Sequence, residues 1–203
     1  MFIDSIEKLN KYNYKVKTET SVFYVYQSDL RKYSIKEGRE FSDEIYERLV
    51  KETLIPRARK KALDILSRAD CSEADLRKKL SLKNYLPDVI EDAVNYAKKF
   101  NYINDERYAE NYLNYRGKTK SIRQIKTELL SKGIDHNIIE NVLTDGSNEE
   151  EALRNLLKKK IKNPEDMDED KIKKIYAYLY RKGFNTELIR EGLSDYLSNT
   201  WLF

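Results

Sequence analysis

With 203 residues the chain can bury a sizeable core, and 36% charged against 40% apolar residues with only six Gly and three Pro favours helices over turn-rich β architecture. Thirty-nine basic residues nearly cancel 35 acidic ones, leaving +4, so any electrostatic role needs local segregation of sign. One cysteine, Cys71, and one histidine, His136, exclude an internal disulfide and a Cys/His zinc site.

The opening MFIDSIEKLNKY has no basic start followed by an apolar run, and no stretch is long enough to span a bilayer. A soluble, cytoplasmic protein is expected, with no membrane partner. FIDSIEK, YNYKVKTE and SVFYVYQ are short, rich in β-branched and aromatic residues, and Tyr14, Val16 and Thr18 alternate with Lys15, Lys17 and Glu19. That pattern predicts a small antiparallel sheet. SIKEGREFSDEIYERLVKETL follows, with a turn at Gly38, an N-cap at Ser42 and Ile45 and Leu49 on one helical side. Residues 1–55 are therefore expected to form a sheet-and-helix extension, with Pro56 marking the boundary.

Beyond it the sequence repeats. LRKKLSLKNYLPDVIEDAV from Leu76, IKTELLSKGIDHNIIENVL from Ile125 and IYAYLYRKGFNTELIREGL from Ile175 align without gaps, offset by 49 and then 50 residues. Each predicts helix, turn, helix. Asn84, Gly133 and Gly183 coincide at the turn, where a left-handed residue is needed, and Tyr85, Ile134 and Phe184 can fold back onto Leu80, Leu129 and Leu179. Ser72 and Ser121 match as N-caps, the latter with Gln124 in capping-box spacing, while the third copy has Lys171 there and Asp168 or Asp170 as its cap.

KALDILSR, RYAENYLNYR and EALRNLLKKK supply a further helix before each pair. The expected fold is mainly α: tandem three-helix units over 56–100, 101–146 and 147–203, forming an elongated, curved rod.

Catalysis finds little support, because there is no Gly-rich phosphate loop and no nucleophile paired with a base. His136 aligns with Pro87 in the first turn of a helix, and Cys71 is a small residue before a cap. Base reading by a helix-turn-helix is disfavoured too: PDVIEDAVNY and DHNIIENVL carry no Lys or Arg.

The cations lie elsewhere, in PRARKK (Arg57, Arg59, Lys60), in KKKIK at 158–162 and in YRGKTKSIRQIKTELLSKGI at 115–134. In that last stretch Ile122, Ile125 and Leu129 fall within ~60° on a helix turning about 100° per residue. Lys120, Arg123 and Thr127 are expected opposite them, with Arg116 and Lys118 alongside, Lys126 at the flank and Lys132 at the helix's negative end. Tyr108, Tyr112, Tyr176 and Tyr180 recur at i, i+4 and predict packing ridges rather than base stacking. Trp201 and Phe203 are expected to belong to the last repeat's core.

ALDILSRADCSEADLRKKL (62–80), FNYINDERYAENYL (100–113) and KSIRQIKTELLSKGI (120–134), in that order, resemble the RecX regulators of the bacterial recombinase RecA. The likeness is closest over 56–145, and the preceding sheet followed by IKEGREFSDEIYERL resembles the N-terminal extension of many members. Asn84 and Asn101 stand where the family often has Gly, and Cys71 where a basic residue is frequent.

The resemblance implies a cytoplasmic, non-catalytic protein of tandem three-helix repeats that binds the groove of the RecA nucleoprotein filament; a monomer without cofactor or metal is expected. It implies reduced ATP hydrolysis, strand exchange and repressor-cleavage stimulation. It places the family's basic positions on Arg116, Lys118, Lys120, Arg123 and Lys126; single- or double-stranded DNA is a further candidate partner. A general nucleic-acid-binding protein acting on phosphates without RecA is the alternative.

Overall fold

The computed structural model describes residues 1–146 and 148–198 and divides into two compact units, one from Met1 to Asn104 and one from Asp105 onward. Trp201 and Phe203 lie outside the described residues.

In the first unit, β1 (Ile3–Lys8), β2 (Asn13–Thr18) and β3 (Val22–Tyr26) form an antiparallel sheet in the order β1-β2-β3. Val16 pairs with Ile6 on one side and Phe23 on the other, and Val16, Thr18 and Phe23 are buried while Lys17 is exposed. The alternation thus gives one face to the core, as period-two patterning dictates. A short helix, α1 (Gln27–Lys32), follows β3 directly; the Asp29 carboxylate accepts the Tyr26 N–H at 2.7 Å and so begins it. Gly38, at φ +70°, turns the chain so that residues 38–41 run beside β1, with Gly38 N–H donating to Ile3 O at 3.0 Å.

Ser42 caps α2 (Asp43–Leu49), its Oγ accepting the Ile45 N–H at 3.3 Å. Pro56 does not end the helical run that follows. A π-helical turn at Val50–Leu54 leads straight into α3 (Ile55–Leu66), where Pro56 sits in the first turn. A proline N has no hydrogen to give the carbonyl one turn back, and a single wide turn absorbs the missing bond without a break. Next come α4 (Glu73–Ser81), capped by Ser72, and α5 (Pro87–Lys99). Ala58 and Ala62 on α3 and Ala93 and Ala97 on α5 are all buried, small residues that let these two helices pack closely. The sheet, α2, α3, α4 and α5 share one apolar core that includes Ile3, Phe23, Leu49, Leu76 and Val94.

The second unit holds α6 (Asp105–Arg116), α7 (Ile122–Ser131) and α8 (His136–Gly146), then α9 (Glu149–Lys160), α10 (Glu169–Arg181) and α11 (Thr186–Ser198). Its first three helices close over Ala109, Ile125, Leu129 and Ile139, and its last three over Leu153, Leu157, Leu179 and Ile189. Asp168 caps α10, accepting the Lys171 N–H at 2.8 Å.

The repeated turn has one geometry throughout. Asn84, Gly133 and Gly183 have φ of 62°, 75° and 90°. The next residue's N–H reaches back to Leu80 O, Leu129 O and Leu179 O at 3.5, 3.2 and 3.3 Å, the long bond of a Schellman cap. Those three leucines are fully buried, and Ile134 and Phe184 are buried with them.

Candidate partner-binding surface

The basic stretch at 115–134 begins on the last turn of α6. Arg116 and Lys118 are exposed; the Arg116 guanidinium lies 5.1 Å over the Tyr115 ring, and Lys118 O accepts the Asn155 side-chain N–H at 3.0 Å. Ser121 then starts α7, its Oγ accepting the Gln124 N–H at 3.1 Å. The other half of the capping box is missing, because the Gln124 amide turns forward to donate to Glu128 Oε1 at 3.1 Å.

Glu128 gathers the polar groups around it. Lys120 Nζ donates to Glu128 Oε1 at 2.6 Å, and Tyr112 Oη donates to Glu128 Oε2 at 2.6 Å. Burial by itself would raise the Glu128 carboxyl, but the bonds from Lys120, Tyr112 and Gln124 outweigh it and hold the group below the usual glutamate range. The Tyr112 phenol is pushed up to about 12 by burial and by the carboxylate it faces.

Lys120 therefore is not on an outward arc. Its side chain is only 19% exposed and is engaged by a carboxylate of α7, the helix it leads into. A helical projection cannot place it, since Lys120 precedes the cap and its direction is set by the loop.

Lys126 is likewise engaged, in an ion pair with Glu140 on α8. Lys132 lies at the end of α7, its Nζ 5.8 Å over the Tyr108 ring. Tyr108 and Tyr112 stack at 6.3 Å against the α6–α8 core and Tyr176 packs on the α9–α11 core, but Tyr180 is 57% exposed and does not pack.

In the first unit two of the predicted contacts are structural. Arg57 makes a fork to Asp29 at 2.9 and 3.1 Å, and Arg59 one to Asp92 at 2.6 and 3.0 Å. Arg57 fastens α1 to α3, and Arg59 fastens α3 to α5. Lys60 is exposed. Burial of Cys71 pushes its thiol up, away from the reactive thiolate.

What remains is assembled by an approach that the repeat alignment does not reveal. The turn ending α10 docks on the start of α7: Ser121 Oγ donates to Lys182 O at 2.7 Å, and a Cβ on Gly183 would stand 2.9 Å from that Oγ. Glu149 of α9 adds a second clamp, accepting the Ile122 N–H at 2.9 Å; burial raises its carboxyl, and this bond partly offsets the rise.

Beside the docked turn an open groove of about 780 Å³ runs between α7 and the end of α10. Arg123 and Thr127 form one wall, and Tyr178, Tyr180, Arg181 and Lys182 the other. Arg123 and Arg181 are exposed and make no ion pair among the described residues. Lys182 Nζ lies 5.9 Å over Tyr178. The one carboxylate among the described residues that line the groove, Glu128, is already neutralised by Lys120. The surface thus offers uncompensated cations and an exposed ring to an anionic partner. Arg181, Lys182 and Tyr180 were not legible as a site, because the sequence places them 58 to 60 residues after Ile122.

Profiles of one family match the three-helix units in order: "RecX, first three-helix domain" at 58–96, the second at 104–143 and the third at 148–193. The chain belongs to the RecX family. It is 33% identical to the regulatory protein RecX of Caldanaerobacter subterraneus over 93% of this chain and 94% of that one. The regulatory protein RecX of Clostridium beijerinckii is also 33% identical, over 82% and 81%.

Among solved structures, a crystal structure of regulatory protein RecX shares the fold at a TM-score of 0.64 and 24% identity, covering 96% of this chain and 98% of that one. RecX from Lactobacillus salivarius does so at 0.62 and 28%, covering 70% and 96%.

Proposed function

We propose that this RecX chain binds the RecA nucleoprotein filament in its helical groove and holds down ATP hydrolysis, strand exchange and repressor-cleavage stimulation. Membership of a family of regulatory proteins supports a regulatory role, and the α7–α10 groove supports an anionic partner. The observation that carries the reading is Arg123 facing Arg181 and Lys182 across that groove with no carboxylate among the described residues left to neutralise them.

Of the cations expected from sequence, Arg116, Lys118, Arg123 and Lys60 are exposed for such contacts, whereas Arg57, Arg59, Lys120 and Lys126 act mainly within the fold. Arg123→Glu combined with Arg181→Glu should raise the concentration needed to inhibit RecA ATP hydrolysis by roughly tenfold, the scale expected when complementary charges are reversed. Because both side chains are exposed, the melting temperature should stay unchanged. Full inhibition by that folded double variant would remove the groove from the account.

A second reading, phosphate binding without RecA, is favoured by Tyr180, whose exposed ring beside two arginines could stack a base. Equal affinity for bare and RecA-coated single-stranded DNA, falling steeply with salt in both cases, would select it.

A further inference from the structure

A hollow of about 350 Å³ lies between the β1–β2 turn with the end of β3, the start of α3 and the turn that ends α4. That volume lies at the lower end of the ~300–1,000 Å³ typical of binding clefts. Its walls include Leu9 from the β1–β2 turn, Tyr26 at the end of β3 and Leu82 at the end of α4, which are 44%, 41% and 72% exposed. Leu82 stands where the aligned copies have Ser131 and Arg181, so only the copy beside the sheet puts an aliphatic group there. Exposed apolar groups gathered at one concave place mark an interaction surface, whereas a scattered leucine would not.

The hollow is also one-sided in charge. Arg57, Lys61 and Lys83 line it, and among the described residues no carboxylate does. Arg57 is neutralised by Asp29 beneath, but Lys61 and Lys83 pair with no carboxylate among the described residues.

We propose that this hollow docks a short segment of a partner protein in which apolar side chains alternate with aspartate or glutamate. The apolar groups would cover Leu82 and Leu9, and the carboxylates would meet Lys61 and Lys83. A nucleic-acid strand fits less well. Leu82 and Leu9 offer no plane for stacking, one face of Tyr26 is already covered by the Arg57 guanidinium at 3.9 Å, and Tyr24 and Tyr85, which also line the hollow, are half-buried, Tyr85 against the core. The proposal concerns the first unit alone and does not depend on the reading of the α7–α10 groove.

Fluorescence anisotropy of the full chain with labelled peptides alternating leucine and aspartate tests it. Peptides with lysine or serine in place of aspartate, and oligothymidine, serve as comparators. The leucine–aspartate peptide should bind tightest, and Leu82→Glu should weaken it by roughly tenfold, the scale of losing a central contact. Lys61→Glu with Lys83→Glu should weaken it comparably, both variants keeping the parent's circular dichroism and melting temperature. No binding of that peptide, binding indifferent to Leu82→Glu in a folded variant, or tighter binding of oligothymidine at this hollow would overturn the proposal.

Discussion

Glu128 receives bonds from Lys120, Tyr112 and Gln124 and so ties together α6, α7 and the loop between them. Removing Lys120 leaves a partly buried carboxylate with its bonds from Tyr112 and Gln124 but without its countercharge. Lys120→Ala should therefore destabilise the chain by roughly 1–3 kcal/mol, read from denaturant unfolding. The pH dependence has a definite sign. Folding holds the Glu128 carboxyl below its ordinary value, so its contribution is complete above the unfolded value of about 4.3 and is lost as pH falls through the lower folded value. In Glu128→Gln the acid-side loss of melting temperature should be correspondingly shallower, and an identical loss in the two proteins would count against this network. The sequence shows six cations around a single carboxylate in this stretch, but not that the nearest lysine closes on that carboxylate. The ion pair depends on how the loop from Arg116 to Ser121 folds back, which no periodicity encodes.

At the scale of elements, the left-handed turns were the most legible feature, because their requirement is local. A helix whose last turn carries Leu80, Leu129 or Leu179 needs a residue that tolerates positive φ and then an apolar one to cover the end, and all three copies supply both. Gly183 carries an added demand, since a side chain there meets Ser121 Oγ as well as an unfavourable φ of 90°. Gly183→Ala should cost about 1–2 kcal/mol from backbone strain, with any disturbance of the Ser121–Lys182 bond in addition. A neutral result in thermal unfolding would mean that the turn is not held as described. The unbroken helix through Pro56 and the short helix α1 were not legible, for physical reasons. A π-helical turn absorbs the proline without breaking the helix, and α1 is too short to show a helical period, depending instead on Asp29 capping one end and binding Arg57.

For the whole molecule, the repeat was visible because each three-helix unit must bury the same leucines and end its helices in the same way. Its docking was not visible. The sheet shares a core with α3 and α5, and the α7–α10 groove joins residues on helices of different repeats, neither of which self-similarity alone can specify. The repeated positions build the units, and positions that differ between copies, such as the one held by Leu82, Ser131 and Arg181, are where the proposed surfaces would lie. The regulatory account is tested most directly by the rate of RecA ATP hydrolysis on single-stranded DNA, titrated with purified protein at several salt concentrations. It predicts that the rate falls with added protein, and that binding to RecA-coated DNA exceeds binding to bare DNA throughout. An unchanged rate at saturating protein, with bare and coated DNA bound equally, would contradict it.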